Sequence, residues 1–582
     1  MTSGYISYRV EIKNVKFVAD DGRTCPRTAI VTFFDMSGKE INSELFGAVE
    51  LNSVYDMIKE GKVINLDNYY VLEFSMAAYR RHNNIEKKEL VPIAGISARN
   101  AFFEAKVCND FSYISFADGD VNFDGSHFAN GKVIFSGSVF GKGNVIFSNT
   151  FFRDGNLEFN GTSYGEGDFM FKNAVVMNGI KDFQDIQFGN GEVSFANTEF
   201  NHGELLFINT RFNSGKFNFK VTRILGGKVD FHYSVFGDCE IMFERTEFGN
   251  SRVDFRTVDF GSGRINFNRS VFGNGEVNFE GASCKAGKIQ FKKAEMGSGI
   301  KNFNLMEMED TEISFERTEF GNGDVTFYES KFQTISLKSC HLNHYIDLRL
   351  AKTLLLDITD TIVRDIVDLE PYDFPVDIKV IDMSGMRLVG KLYIDWNQNK
   401  CKEVIEAQEL TTLRQKADQF RILKVNFNNT GKYDDEDAAY VMFKRYESES
   451  VLTENKEKGG IAKFASYLPY WFKWLVFDKI GLYATAPGRV LLSVVIFWII
   501  FGTLYFVLDL TGIGHTMSSV DNPDHLTALL QSFYHSAVTF FTIGYGDVYP
   551  VGASRILSGL EGFMGVFMMS YFTVAFVRKV LR

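Results

Sequence analysis

"GEVSFANTEF", residues 191–200, decides the architecture of most of this 582-residue chain. Val193 and Phe195 stand two apart, so an extended backbone puts both on one face of a strand. Phe200 lies five further on and cannot share that face unless a turn intervenes. The same spacing runs outward in both directions: a Phe recurs every twelve residues from Phe111 to Phe327, nineteen times in succession. A second register five residues later holds Phe128, Phe140, Phe152, Phe188, Phe200 and further aromatics to Phe332, relaxed to Tyr164, Val176, Ile224, Cys284, Met296 and Met308. The unit reads F-x-x-S/T-x-F-G-x-G-x-V-x. Twelve is not a helical repeat, and two glycines per unit would cost a helix about 1 kcal/mol each. A second turn is expected at the G-x-G, where glycine supplies positive φ. Each unit is therefore expected to be one coil of two short strands and two corners, stacked into a thin β-solenoid around two columns of Phe. At about 4.8 Å per coil, nineteen coils predict a rod of roughly 90 Å.

Composition narrows the function classes. A net charge of −11 with dispersed basic residues argues against a nucleic-acid partner, which requires a clustered basic face. Cys25, Cys108, Cys239, Cys284, Cys340 and Cys401 form no C-x-x-C pair and read as free thiols of a reducing compartment. The opening "MTSGYISYRVEIKNVKF" lacks the basic-then-apolar order of a signal peptide, so the N-terminus is expected in the cytosol. No H-E-x-x-H, G-x-S-x-G or phosphate-binding glycine loop is present, so no enzyme is expected; a G-x-G at every turn is corner chemistry. Acidic residues wander among the repeat positions, which favours a structural rod over a metal-binding solenoid. "TEFGN" and "SVFGN" resemble the pentapeptide-repeat proteins, although a twelve-residue period departs from that family's five.

The predicted organisation is multidomain. Residues 1–100 alternate as strands ("TAIVTFF", "YYVLEFSM") and read as a β-rich cap over the first coil. The solenoid occupies 101–400 and is less regular after 340. Within 401–487, helical spacing on both sides of "NNTGKYDDED" predicts a hairpin of helices. "KFASYLPYWFKWLVFDKIGLYAT" follows, too charged to span a bilayer and suited to lie in its interface. Residues 488–582 carry two apolar runs, Val490–Leu508 without a charge and Ile556–Val577 with only Glu561. Arg489, Arg578, Lys579 and Arg582 flank them, while Asp509, Asp521, Asp524 and Asp547 lie between; the basic ends belong inside, which places both termini in the cytosol of a plasma-membrane protein.

Between the runs, "DHLTALLQSFYHSAVTFF" predicts a helix too short to span, capped by Asp524 after Pro523, with the negative end of its dipole turned toward a cation. "TIGYG" then continues as extended backbone, tolerable at membrane depth only beside an aqueous path, and Gly544 and Gly546 permit unusual dihedrals there. Four such segments around an axis would exchange a potassium ion's water shell for carbonyl oxygens. His515 and His525 lie in the outer loop and could sense pH, although solvated loop histidines usually do nothing.

Thr542, Ile543, Gly544, Tyr545, Gly546 and Asp547 form T-x-G-Y-G-D, and with the short helix and both flanking runs the segment from about 480 to 582 closely resembles the two-span potassium channel pore domain. The resemblance implies a homotetramer in a lipid bilayer. Potassium ions would be held in the filter by the carbonyls of Thr542, Ile543, Gly544 and Tyr545 with the Thr542 hydroxyl, and no other cofactor is implied. Thr539 matches a threonine that such pores carry three residues earlier, whereas Phe541 and Val538 depart from the family, the latter leaving Asp547 without a glutamate partner. Gly565 resembles the gating hinge, with Gly562 and Gly559 as competitors; close helix packing would serve equally. Glu561, expensive in lipid, is expected to face protein, bracing the filter or pairing with a polar neighbour. The function implied is a potassium-selective channel with a cytosolic solenoid that regulates or anchors it through an unknown ligand or partner. The competing reading is a membrane-tethered scaffold whose solenoid is the working part and whose pore conducts little.

Overall fold

A computed structural model describes residues 5–19, 21–458, 460–519 and 526–581. The chain divides into two compact units, one ending at Gln408 and one beginning at Glu409.

The first unit is the β-solenoid, and its coil is twice the expected size. Parallel strand partners are 24 residues apart: Phe128 pairs with Phe152, Phe212 with Phe236, Ile241 with Ile265. A twelve-residue unit with two corners travels only half-way round, so two units close one four-sided coil. The Phe columns double accordingly. Phe135 stacks on Phe159 at 5.0 Å and Phe123 on Phe147 at 5.1 Å, and the two columns meet edge to face, as Phe135 does Phe147 at 5.5 Å and 81°. The second register supplies the outer columns, such as Phe188 on Phe212 at 5.1 Å and Phe248 on Phe272 at 4.7 Å. Phe111 to Phe327 is thus nine 24-residue steps, roughly 43 Å at about 4.8 Å per coil, half the length expected from the smaller coil.

The corners also differ from the expectation. Positive φ falls two residues after the repeat Phe, on Asn173 (57°), Asn197 (56°) and Asn209 (53°), and even on Thr257 (51°) and Arg269 (59°). Asparagine tolerates this region best, and Asn197 donates to Asn173 at 2.9 Å, Asn173 to Asn149 at 3.2 Å, forming a ladder along the corner. Some G-x-G glycines do carry the expected positive φ, as Gly261 (62°) and Gly321 (63°) show, while others serve close approach: a Cβ at Gly141 would lie 1.4 Å from the Ala117 carbonyl oxygen, and at Gly189 1.6 Å from that of Gly165. The Ser/Thr of the unit is buried, its hydroxyl donating to a Phe carbonyl of the preceding coil, as Thr198 does to Phe171 (2.6 Å) and Thr246 to Phe219 (2.7 Å). This gives the buried hydroxyl a partner, on a carbonyl that also accepts the amide three residues on, as Phe171 does from Ala174 at 3.2 Å.

Lys181 and Lys301 occupy the repeat's Val position and are 1% exposed. Lys181 Nζ donates to the Gly179 (3.0 Å) and Asn201 (3.2 Å) carbonyls, and burial pushes both ammoniums down to about 8. The unfolded chain keeps its lysines protonated to about pH 10.4. Between pH 8 and that value it binds more protons than the folded chain, so solenoid stability rises with pH across this window. The melting temperature of wild type, minus that of a Lys181→Met/Lys301→Met variant, is expected to increase from pH 7.5 to 10; a constant difference would refute the buried charges.

At the N-terminal end, antiparallel strands Ser7–Lys13, Thr28–Phe34 and Glu40–Ala48 build a sheet with α1 (Leu51–Lys59) and α2 (Met76–His82) following. Its Tyr5, Phe33 and Phe46 pack with Phe102, Ala129 and Phe151, with Val175 against the same cluster. The cap therefore covers a flank across several coils as well as the first one. Beyond Phe327 the coil shortens to 21 residues, Val325 pairing with Ile346 and Ile346 with Val367. The last strand is Lys391–Tyr393, and α3 (Cys401–Glu406) closes the unit. All six cysteines are free.

The second unit is helical. α4 (Leu413–Thr430) starts on a capping box of Thr412 with Gln415 and stops at Gly431, φ 76°; α5 (Tyr433–Lys458) opens with Asp434, Asp435 and Glu436, matching its positive dipole end. α6 (Gly460–Phe472) contains Pro469 and runs into a π-helical turn, Lys473–Lys479. Leu482, Tyr483 and Ala484 form an elbow, all at positive φ (48°, 55° and 63°). Two helices long and apolar enough to cross a membrane follow, α7 (Pro487–Thr511) and α9 (Ser554–Val580), separated by α8 (Ala528–Phe540). Strands Gly514–Ser518 and Val548–Gly552 pair antiparallel between them.

Candidate functional site

The site is built on α8 and the backbone that leaves it. Thr527 caps this helix, its hydroxyl accepting from the Leu530 amide at 3.3 Å. Asp524, the expected cap, lies outside the described residues, as do Asp521, Pro523 and His525. Past Phe540 the chain leaves helical geometry; Gly544 and Gly546 adopt φ of 67° and 78°, the region glycine reaches without steric cost. Thr542 also has positive φ (55°), and its hydroxyl donates to the Phe541 carbonyl at 2.7 Å. Ile543 N–H returns to the Val538 carbonyl (2.9 Å), anchoring the segment to the helix end. Ile543 and Tyr545 are 50% and 70% exposed in the single chain.

Two sets of contacts hold this segment, and a third lies behind α8. Asp547 has a partner after all: the Tyr534 hydroxyl donates to its carboxylate at 2.7 Å, from a position one turn before the Val538 that lacks the family's glutamate. Ser519 donates through its amide to the Asp547 carbonyl (2.7 Å) and through its hydroxyl to that of Gly546 (3.1 Å). Glu561 of α9 is fully buried, accepting from Tyr505 of α7 (2.8 Å) and Ser536 of α8. Its carboxylate thus joins three helices at one point behind α8, touching no residue of 542–546 in the described contacts. Thr539 is 3.5 Å from His535 Nε2.

Gly565 packs against the end of α8, where a Cβ would meet the Phe540 carbonyl oxygen at 2.0 Å. Close packing accounts for this glycine, and α9 runs unbroken through it. Gly559 and Gly562 face open space within the chain. His515 Nδ1 is 2.8 Å from an Asp509 carboxylate oxygen.

The end of α9 is tied to the hairpin. Arg578 reaches Asp437 at 3.0 Å and lies 4.4 Å from the Tyr440 ring centre, while Lys579 reaches Asp434 (2.7 Å) and Asp437 (3.2 Å). Tyr571 accepts from the Ala484 amide at 3.0 Å, and Arg445 forks onto Asp478 (2.8 Å). Tyr505, Tyr534, Ser536 and Tyr571 escaped the reading of the sequence. Their signal was present as polar side chains inside apolar helices, which need buried partners.

A family model described as "Ion channel" matches residues 491–582, which hold α8, the segment after it and both apolar helices from Leu491 on, and this region is an ion-channel domain carried on a chain with a β-solenoid before it. Among curated proteins, Protein LctB of Bacillus caldotenax is 33% identical over 70 residues, 12% of this chain and 52% of that protein. The chain therefore spans about half the length of the curated relative it matches. No solved structure matches. The channel domain and two apolar helices make this a membrane protein, and the combination points away from an enzyme.

Proposed function

We propose that the protein is a potassium-selective channel of the plasma membrane, assembled as a tetramer, with Thr542–Gly546 as the selectivity filter and both termini cytosolic. The observation that carries this reading is the positive φ at Gly544 and Gly546 just after a short helix packed against α7 and α9. Such geometry lets successive carbonyls line an axis, and one chain supplies only one quarter of a closed cage. The exposure of Ile543 and Tyr545 leaves room for neighbouring copies. Tyr534–Asp547 and the Glu561 junction are the filter's supports, and Gly562 and Gly559 are the hinge candidates in α9 whose surroundings are open. Purified protein in vesicles, assayed for potassium and rubidium uptake alongside particle mass, tests this: a tetramer passing both ions is expected, and a dimer retaining flux would contradict the cage. Absence of uptake would favour the tethered scaffold.

The solenoid regulates the gate through the hairpin. The covalent route to the first span runs through α5 and the elbow, but the ion pairs of Arg578 and Lys579 give α5 a direct hold on the end of α9 as well. Coupling of this kind is about 1–3 kcal/mol, a roughly 5- to 150-fold change in the open-to-closed ratio. Deleting residues 1–400 is expected to preserve tetramer and selectivity while altering open probability, and Asp437→Lys to erase most of the difference between truncated and full-length protein. If truncation changes nothing under any condition, the rod is an anchor.

A further inference from the structure

Two adjoining cavities lie where α5 meets the interfacial segment. The first, about 330 Å³, is lined by Tyr440 and Lys444 of α5, Lys473 and Phe477 of the π-helical turn, Tyr483 of the elbow and Tyr571 of α9. The second, about 300 Å³, is lined by Val451 and Leu452 of α5 and by Ala465 and Pro469 of α6. They share Ser448 and Lys473, so they form one groove with a cationic, aromatic half and an apolar half.

We propose that this groove binds one anionic phospholipid per chain, headgroup in the half holding Lys444 and Lys473, acyl chain in the half floored by Val451 and Leu452. The inference rests on the membrane placement given above. Charge supports it first: the one acidic residue lining the groove, Glu447, already pairs with Lys444 at 2.8 Å, and Lys473 has no ion pair among the described residues. One positive charge is left over, in a pocket whose ammonium groups would donate to phosphate oxygens. The apolar half supports it next, because a soluble phosphate has no use for it. Position completes the argument. Phe464, Leu468, Trp471, Phe472 and Leu475 recur at helical spacing and are 52–79% exposed, giving α6 a bare apolar ridge of the kind that lies in a bilayer's interface. Basic pockets at the cytosolic ends of membrane helices take lipid headgroups for the same reason. Pro469 contributes by withholding an amide from the Ala465 carbonyl one turn back within α6, where both residues line the apolar half.

Through Tyr571, which also holds the Ala484 amide of the elbow, the occupied groove contacts the second span; lipid would therefore stiffen the joint between hairpin, elbow and α9. The test uses full-length protein purified from vesicles of phosphatidylcholine alone or with one quarter phosphatidylglycerol, with retained lipid counted by native mass spectrometry. Retention of phosphatidylglycerol over phosphatidylcholine is expected. A Lys444→Gln/Lys473→Gln variant should lose roughly 30-fold of that preference, the combined loss of two lysine attractions to an anionic headgroup. Lys402→Gln, which does not line the groove, should retain it. Val451→Trp, which fills the apolar half without altering charge, should weaken retention as well. Equal retention of the two lipids by wild type, unchanged preference in the double lysine variant, or binding of glycerol phosphate as tight as that of the lipid would each overturn the proposal. Lipid retention is read without ion flux, so a protein that holds phosphatidylglycerol but passes no potassium would sink the channel reading and leave the groove standing.

Discussion

Gly544→Ala is expected to abolish the proposed potassium flux while leaving the solenoid's melting transition unchanged. Gly544 holds φ at 67°, and a Cβ there would meet no atom of its own chain within 4 Å, so the damage is conformational rather than a local clash. An L-residue in this region loses about 1–2 kcal/mol, and the proposed tetramer would carry the change four times, about 4–8 kcal/mol concentrated on one ring of carbonyls. The substituted segment relaxes toward negative φ, turning a peptide away from the axis. Rubidium uptake into vesicles reads the effect; a Gly544→Ala channel that conducts like wild type would remove Thr542–Gly546 from the filter.

Glu561→Leu is expected to be nearly as damaging, by a different route. The carboxylate is the acceptor for Tyr505 and Ser536, fully buried between α7, α8 and α9. Ser536 retains an alternative acceptor in the Trp498 carbonyl at 3.2 Å, whereas the Tyr505 hydroxyl keeps only the Ser558 side chain in place of a carboxylate. Losing that charged acceptor costs about 1–3 kcal/mol per chain. The loss falls on the junction of α7, α8 and α9, so the proposed tetramer should dissociate at lower temperature and flux should fall with it. Glu561→Gln keeps an acceptor oxygen and is expected to recover most of both. Equal behaviour of the Leu and Gln variants would show that this junction does not support the pore.

Much of this was legible in the primary structure, and the failures share a cause. Period and turn chemistry identified a solenoid, because Phe at a fixed spacing with glycine between can be satisfied by little else. Periodicity alone does not say whether one unit or two closes a coil: Phe111 and Phe123 look equivalent in sequence, yet they belong to different columns. Glycine was likewise ambiguous, since positive φ and close backbone approach select the same residue; Gly141 needs the second and Asn197 meets the first. In the membrane region, hydropathy located both long helices, and the composition of 542–546 singled out the candidate filter. The partners of Asp547 and Glu561 were not visible, because Tyr534 and Tyr505 become neighbours only through helix packing across 13 and 56 residues of chain. The ion pairs of Arg578 and Lys579 with Asp437 span still longer separations, and no local pattern announces them.

The central claim is potassium selectivity, and the reversal potential of the purified channel between potassium on one side of a bilayer and sodium on the other tests it most directly. The account predicts a reversal far on the side set by potassium, with rubidium replacing potassium at little change. A reversal near zero, with sodium and potassium carrying comparable current through wild-type protein, would contradict it.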